Sequence, residues 1–129
     1  MLSSGANFAS YMVGGRFDPP FMPTKTQPYI VGNRIESRGI GKVESKLQVS
    51  DDCELLSVAV GASFYESRDY WNLYVGGKLV CQRIFTKDLP EGMYFTAIIP
   101  CPTGTEFHFE FMNEGGKNKD IWVNYQMLR

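Results

Sequence analysis

Between residues 70 and 128, apolar and polar side chains alternate with period two, and turns bearing glycine or proline separate the alternating runs. Successive side chains on a strand point to opposite faces, so the pattern predicts antiparallel strands with one face buried. Trp71, Leu73 and Val75 share one face, and Tyr70, Asn72 and Tyr74 share the other. Gly76-Gly77 tolerates positive φ at both positions, as a tight hairpin into 78–85 requires. Phe107, Phe109 and Phe111 alternate with Glu106, His108 and Glu110. In the last run Ile121, Val123, Tyr125 and Met127 form the inner face, with Trp122, Asn124 and Gln126 outside. Earlier strands are expected at 29–36, 42–49 and 53–64, the last with Leu56, Val58, Val60, Ala62 and Phe64 inward. Residues 88–92 read as a turn, and a strand over 93–99 is expected to end at Pro100. No segment has helical period. The chain reads as all-β, an antiparallel β-sandwich of about eight strands, jelly-roll-like before immunoglobulin-like.

Residues 1–28 break this pattern. Pro19, Pro20, Pro23 and Pro28 remove backbone donors and disfavour regular structure. Yet the segment is not composed like a disordered tail, which is poor in aromatics and rich in charge. It carries Phe8, Tyr11, Met12, Val13, Phe17, Phe21 and Met22 against only Arg16, Asp18 and Lys25. Left in water, those apolar side chains would form a large sticky patch. The expectation is an extended arm (1–28) ahead of a sandwich domain (29–129). The arm either straps its own sandwich or docks on a neighbouring subunit, with Phe8, Tyr11, Phe17, Phe21 and Met22 as anchors.

Composition narrows the function classes. At 129 residues a single domain is expected. Thirteen Lys and Arg against fourteen Asp and Glu, with no basic cluster, leave no footprint for nucleic acid. No apolar run approaches the ~20 residues that a membrane-spanning helix needs. Met1–Asn7 has neither a basic start nor an apolar centre, so no secretory signal is expected, and the protein is read as made in a cytoplasm. Cys53, Cys81 and Cys101 are odd in number, widely spaced and set in apolar runs. They are expected to be buried and reduced rather than bridged.

Candidate chemistry is sparse. The only histidine, His108, lies on the polar face of its strand between two glutamates, where a solvated role is the simplest reading. Glu106, His108 and Glu110 are spaced about 6.8 Å apart along a strand, too far to share one metal ion without ligands from elsewhere. Gly39-Ile40-Gly41-Lys42-Val43 lacks the leading glycine and the Ser or Thr of a phosphate loop. Asp51-Asp52-Cys53-Glu54 lacks the calcium-loop spacing and reads as a turn. No catalytic set, cofactor or metal is therefore expected. Outward aromatics beside amides remain: Tyr70, Asn72 and Tyr74 on one strand, Trp122 and Asn124 on another. Such surfaces suit sugar stacking and protein interfaces alike, or lie under another part of the chain.

The run Asp69-Tyr70-Trp71-Asn72-Leu73-Tyr74-Val75-Gly76-Gly77-Lys78 resembles small β-sandwich structural proteins of tailed bacteriophages of Gram-positive hosts. So do Lys87–Gly92, Phe111–Gly116 and Trp122–Tyr125, and the resemblance covers residues 50–129. It implies a non-enzymatic virion component of head, neck or tail. Its partners would be other virion proteins or further copies of itself, a homo-oligomer held by the arm. The alternative is a carbohydrate-binding module for a host cell-wall glycan or another sugar, using Tyr70, Asn72, Tyr74, Trp122 and Asn124.

Overall fold

A computed structural model describes residues 22–87 and 91–129, without the side chains of Glu91, Tyr94 and Thr96. Eight strands follow in order: β1 (Pro28–Ser37), β2 (Gly41–Gln48), β3 (Cys53–Ala62), β4 (Tyr70–Val75), β5 (Lys78–Phe85), β6 (Glu91–Cys101), β7 (Glu106–Asn113) and β8 (Lys119–Leu128). They form two four-stranded antiparallel sheets, β1-β8-β3-β6 and β2-β7-β4-β5. β1 pairs with β8, β2 with β7, β3 with β6 and β4 with β5. The chain is thus one long antiparallel ribbon, with β4–β5 at its tip, rolled until β3 meets β8 and β4 meets β7. That is the jelly roll the alternation predicted.

The core is what the period-two pattern places between the sheets. Leu55, Val58, Leu73, Phe107, Phe109, Phe111, Ile121, Val123 and Tyr125 are fully buried, and Trp71, Val75 and Met127 nearly so. Rings pack both across the gap and along one sheet: Phe107 of β7 lies 4.7 Å from Tyr125 of β8 in the facing sheet, and Trp71 of β4 lies 5.5 Å from Phe109 on the neighbouring strand β7. Each large apolar side chain buried this way contributes about 1.5–3 kcal/mol relative to exposure. The three cysteines are buried free thiols. Burial pushes the Cys81 thiol up to about 11 and the Cys101 thiol up to about 12, which suppresses the reactive thiolate.

Three local departures from the expected pattern have physical causes. In β3 the inner face is Cys53 and Leu55, then Val58 and Val60. Leu55 faces Met127 and Ser57 faces Gln126, so Leu56 is the extra residue of a β-bulge. A bulge reverses the alternation, and Leu56 is only half-buried while Phe64 lies beyond the strand and 44% exposed. β6 continues through Pro100 to Cys101 instead of stopping, because it is an edge strand, where proline need not donate to a neighbour. β1 likewise begins at Pro28 on the opposite edge, one residue inside the segment expected to be irregular. Glu91 and Gly92 already belong to β6, and residues 88–90 of the expected turn lie outside the described residues.

Candidate functional site

The outer face of the second sheet gathers most of the exposed chemistry. Register brings β2, β7 and β4 side by side: Glu44 faces Glu110, which faces Asn72, and Lys46 faces His108, which faces Tyr74. Outward residues of three strands therefore meet, although they are far apart in sequence. His108 Nε2 contacts the Glu44 carboxylate and lies 4.0 Å from Glu110. Tyr74 stacks on the His108 ring at 5.4 Å. Lys42 Nζ donates to Glu110 Oε2 at 3.2 Å, and Asn72 Nδ2 donates to Glu110 Oε1 at 3.3 Å.

The missing metal ligand of the sequence reading is supplied across the ladder. Ligand atoms of Glu44, His108 and Glu110 lie within 4.8 Å of one another. These side chains are already engaged with one another and with Lys42 and Asn72, however. The bond to His108 holds the Glu44 carboxyl below its usual range, and the bond to Glu110 holds the Lys42 ammonium above its own. This is a cross-strand ion network on a sheet surface. Glu44 was invisible to the sequence reading because only strand register sets it opposite Glu110.

The Tyr70-Asn72-Tyr74 strip does face outward, but its members are partly spent on neighbours. Asn72 Oδ1 accepts the Arg83 amide at 2.7 Å. Arg83 sits at φ 55°, a left-handed conformation unusual for arginine, where the β4–β5 register shifts. Its guanidinium covers Tyr70 at 4.7 Å from the ring centre, and Phe85 packs 5.5 Å from the same ring. Phe85 remains exposed beside it, and Leu79, opposite Tyr74 at the other end of the strip, is exposed too.

Trp122 and Asn124 are not part of this surface. They lie on β8, on the outer face of the first sheet, the opposite side of the sandwich. Trp122 is 40% exposed, between Arg34 of β1 and Gly61 of β3 in the ladder. Asn124 folds across Gly32, where a Cβ would stand 2.2 Å from Oδ1. The two aromatic–amide strips expected from sequence are thus two separate faces.

Of the arm anchors, Phe8, Tyr11, Phe17 and Phe21 lie outside the described residues, while Met22 is exposed. The root of the arm is firmly built. Glu54, 6% exposed, receives the Thr24 amide at 3.0 Å, the Lys25 amide at 3.0 Å and the Thr24 hydroxyl at 2.7 Å. Burial alone would raise the Glu54 carboxyl, but these donors outweigh it and hold it below the usual range. Gln27 and Arg129 exchange both backbone hydrogen bonds, and Arg129 stacks on Tyr29 at 3.8 Å from the ring centre. The sequence reading missed Glu54 because its role depends on which segment crosses the end of β3.

No curated protein matches the chain. A family model described as "Domain of unknown function (DUF8551)" matches residues 25–129, which take in the lower part of the arm root and all eight strands. The chain therefore belongs to the DUF8551 family.

Proposed function

We propose that the chain is a non-enzymatic structural or accessory subunit of a phage virion, joined to neighbouring subunits by its N-terminal arm. The observation that carries this reading is the built root at Glu54, which anchors Thr24 and Lys25 to the start of β3. A pre-ordered root lowers the ordering cost of docking the segment attached to it. The jelly roll also suits the role, since its interior is filled by side chains and, among the described residues, Ile30, Leu79, Phe85 and Trp122 are exposed. The resemblance over residues 50–129 supplies the virion context. The test is light scattering on the full chain beside a chain that begins at Met22 and so keeps the root. A defined oligomer that falls to monomer on truncation supports the reading; equal masses overturn the assembly role of the arm.

A carbohydrate-binding role is the second reading, favoured by the exposed Trp122 beside the bare backbone of Gly61, a floor on which a sugar ring can stack. Glycan binding lost in Trp122→Ala, with the melting curve unchanged, would establish it. No binding across a broad panel of cell-wall and other glycans would reject it.

A further inference from the structure

One end of the sandwich interior is polar. Lys119 continues the inward parity of Ile121, Val123 and Tyr125, and Asp69 continues that of Trp71 and Leu73. Both therefore project between the sheets, where their side chains are 0% and 1% exposed. Lys119 Nζ lies directly against Asp69 Oδ2, and 2.7 Å from Glu66 Oε1. The other Asp69 oxygen, Oδ1, accepts the backbone amides of Glu114 at 2.8 Å and Gly115 at 3.0 Å. Gly115 is what lets Glu66 reach this position: a Cβ there would stand 2.2–2.4 Å from the three Glu66 carboxyl atoms. The Lys117 amide at 3.0 Å holds the same carboxylate from the other side.

We propose that Lys119 and Asp69 join in an intramolecular isopeptide bond, with Glu66 as the proton carrier. Every component of amide formation is in place: a buried amine, a carboxyl group against it, a second carboxylate touching the amine, and two backbone amides on the oxygen that will carry the negative charge. The two amides form an oxyanion hole of the usual kind. The Lys119 ammonium first passes one proton to Asp69 Oδ2, giving an amine and a carboxylic acid. The amine lone pair attacks Asp69 Cγ, and the carbonyl electron pair moves onto Oδ1, held by the Glu114 and Gly115 amides. Glu66 Oε1 takes a second proton from Nζ and delivers it to the Oδ2 hydroxyl. The Cγ–Oδ2 bond breaks, one water leaves, the carbonyl re-forms, and Glu66 is again a carboxylate.

In open water an amine and a carboxylate do not condense. Two influences reverse the balance here. Fixed reactive groups reach effective concentrations of about 10⁵–10⁸ M. The product also replaces two buried charges with one neutral amide, removing the cost of keeping ions out of water. The bond would link β8 of the first sheet to the residue before β4 of the second, a covalent tie between the layers.

Intact-mass measurement of the denatured, purified full chain tests the proposal. The expected result is a mass below that of the sequence by one water, with protease digestion yielding a branched peptide that contains Lys119 and Asp69. A folded protein at full sequence mass overturns the proposal and leaves a simple buried ion pair. Glu66→Gln keeps the size of the proton carrier but not its basicity, and should give folded protein at full mass. If Glu66→Gln protein is still fully crosslinked, the role assigned to Glu66 is wrong. Asp69→Asn that crosslinks should lose ammonia instead of water and reach the same final mass as the natural protein.

Discussion

Phe109 and Trp122 are both large aromatics on neighbouring runs of the same alternating type, yet their burial predicts opposite consequences. Phe109 is fully buried against Trp71, whereas Trp122 is 40% exposed. Phe109→Ala should cost about 3–5 kcal/mol in denaturant unfolding, through lost transfer energy and a residual cavity. Trp122→Ala should fall within about 0.5 kcal/mol of the natural protein. Tyr125 presents a different case. Its ring fills the centre of the core, but its hydroxyl has no hydrogen-bond partner among the described residues, and burial pushes that hydroxyl's pKa upward. An unpaired buried hydroxyl costs about 1–3 kcal/mol. Tyr125→Phe should therefore raise the melting temperature; a lower one would show that the hydroxyl is bonded after all. These roles were legible in the alternation, because parity along a straight strand places a side chain on one face or the other. Leu56 was misplaced because a bulge changes parity, and Phe64 because β3 ends at Ala62; both are set by pairing with β8, not by local composition.

At the scale of single elements, the β4–β5 turn and the arm root make separable predictions. Gly76 and Gly77 adopt φ of 58° and 84°, and nothing lies within 4 Å of a Cβ added at Gly77. Gly77→Ala then tests backbone strain alone, and should cost about 1–2 kcal/mol in unfolding experiments. The root depends on an ionised Glu54. Its folded pKa is lowered, so the stabilisation is fully present above the ordinary glutamate range and is lost as pH falls through the folded value. Amide resonances of Thr24 and Lys25 should shift together in an acid titration, with a midpoint below that of a free glutamate. A midpoint at or above the ordinary value would contradict the bonding described. The proline-rich composition of residues 1–28 is plain in the sequence, but the carboxylate that receives Thr24 and Lys25 lies at the start of β3, beyond the reach of any local pattern.

Across the whole molecule, pairing the first strand with the last and the second with the seventh means that most of the ladder joins residues far apart in sequence. Loop-closure entropy is met before the contacts that offset it, so folding should take milliseconds to seconds. Stopped-flow fluorescence of the buried Trp71 can follow this in Glu66→Gln protein, where the unfolded chain carries no tie between residues 69 and 119; microsecond folding would contradict it. The same roll explains why the outward features divide as they do. Tyr70, Asn72 and Tyr74 end on one sheet and Trp122 and Asn124 on the other, so a single ligand cannot use both sets. It also explains how Glu44 meets His108, and how Glu66, Asp69 and Lys119 converge at one end of the core.

The order of polar and apolar residues determined by itself that the chain is all-β, which side chains of β4, β7 and β8 fill the core, where the Gly76-Gly77 hairpin turns, and that the cysteines are buried thiols. Those are consequences of a two-residue repeat and of local turn chemistry, and neighbours along the chain suffice to state them. Tertiary structure alone decided which strands lie side by side, where parity slips, and which charged groups touch. Contacts between residues tens of positions apart depend on register, and register is a property of paired strands rather than of either strand alone.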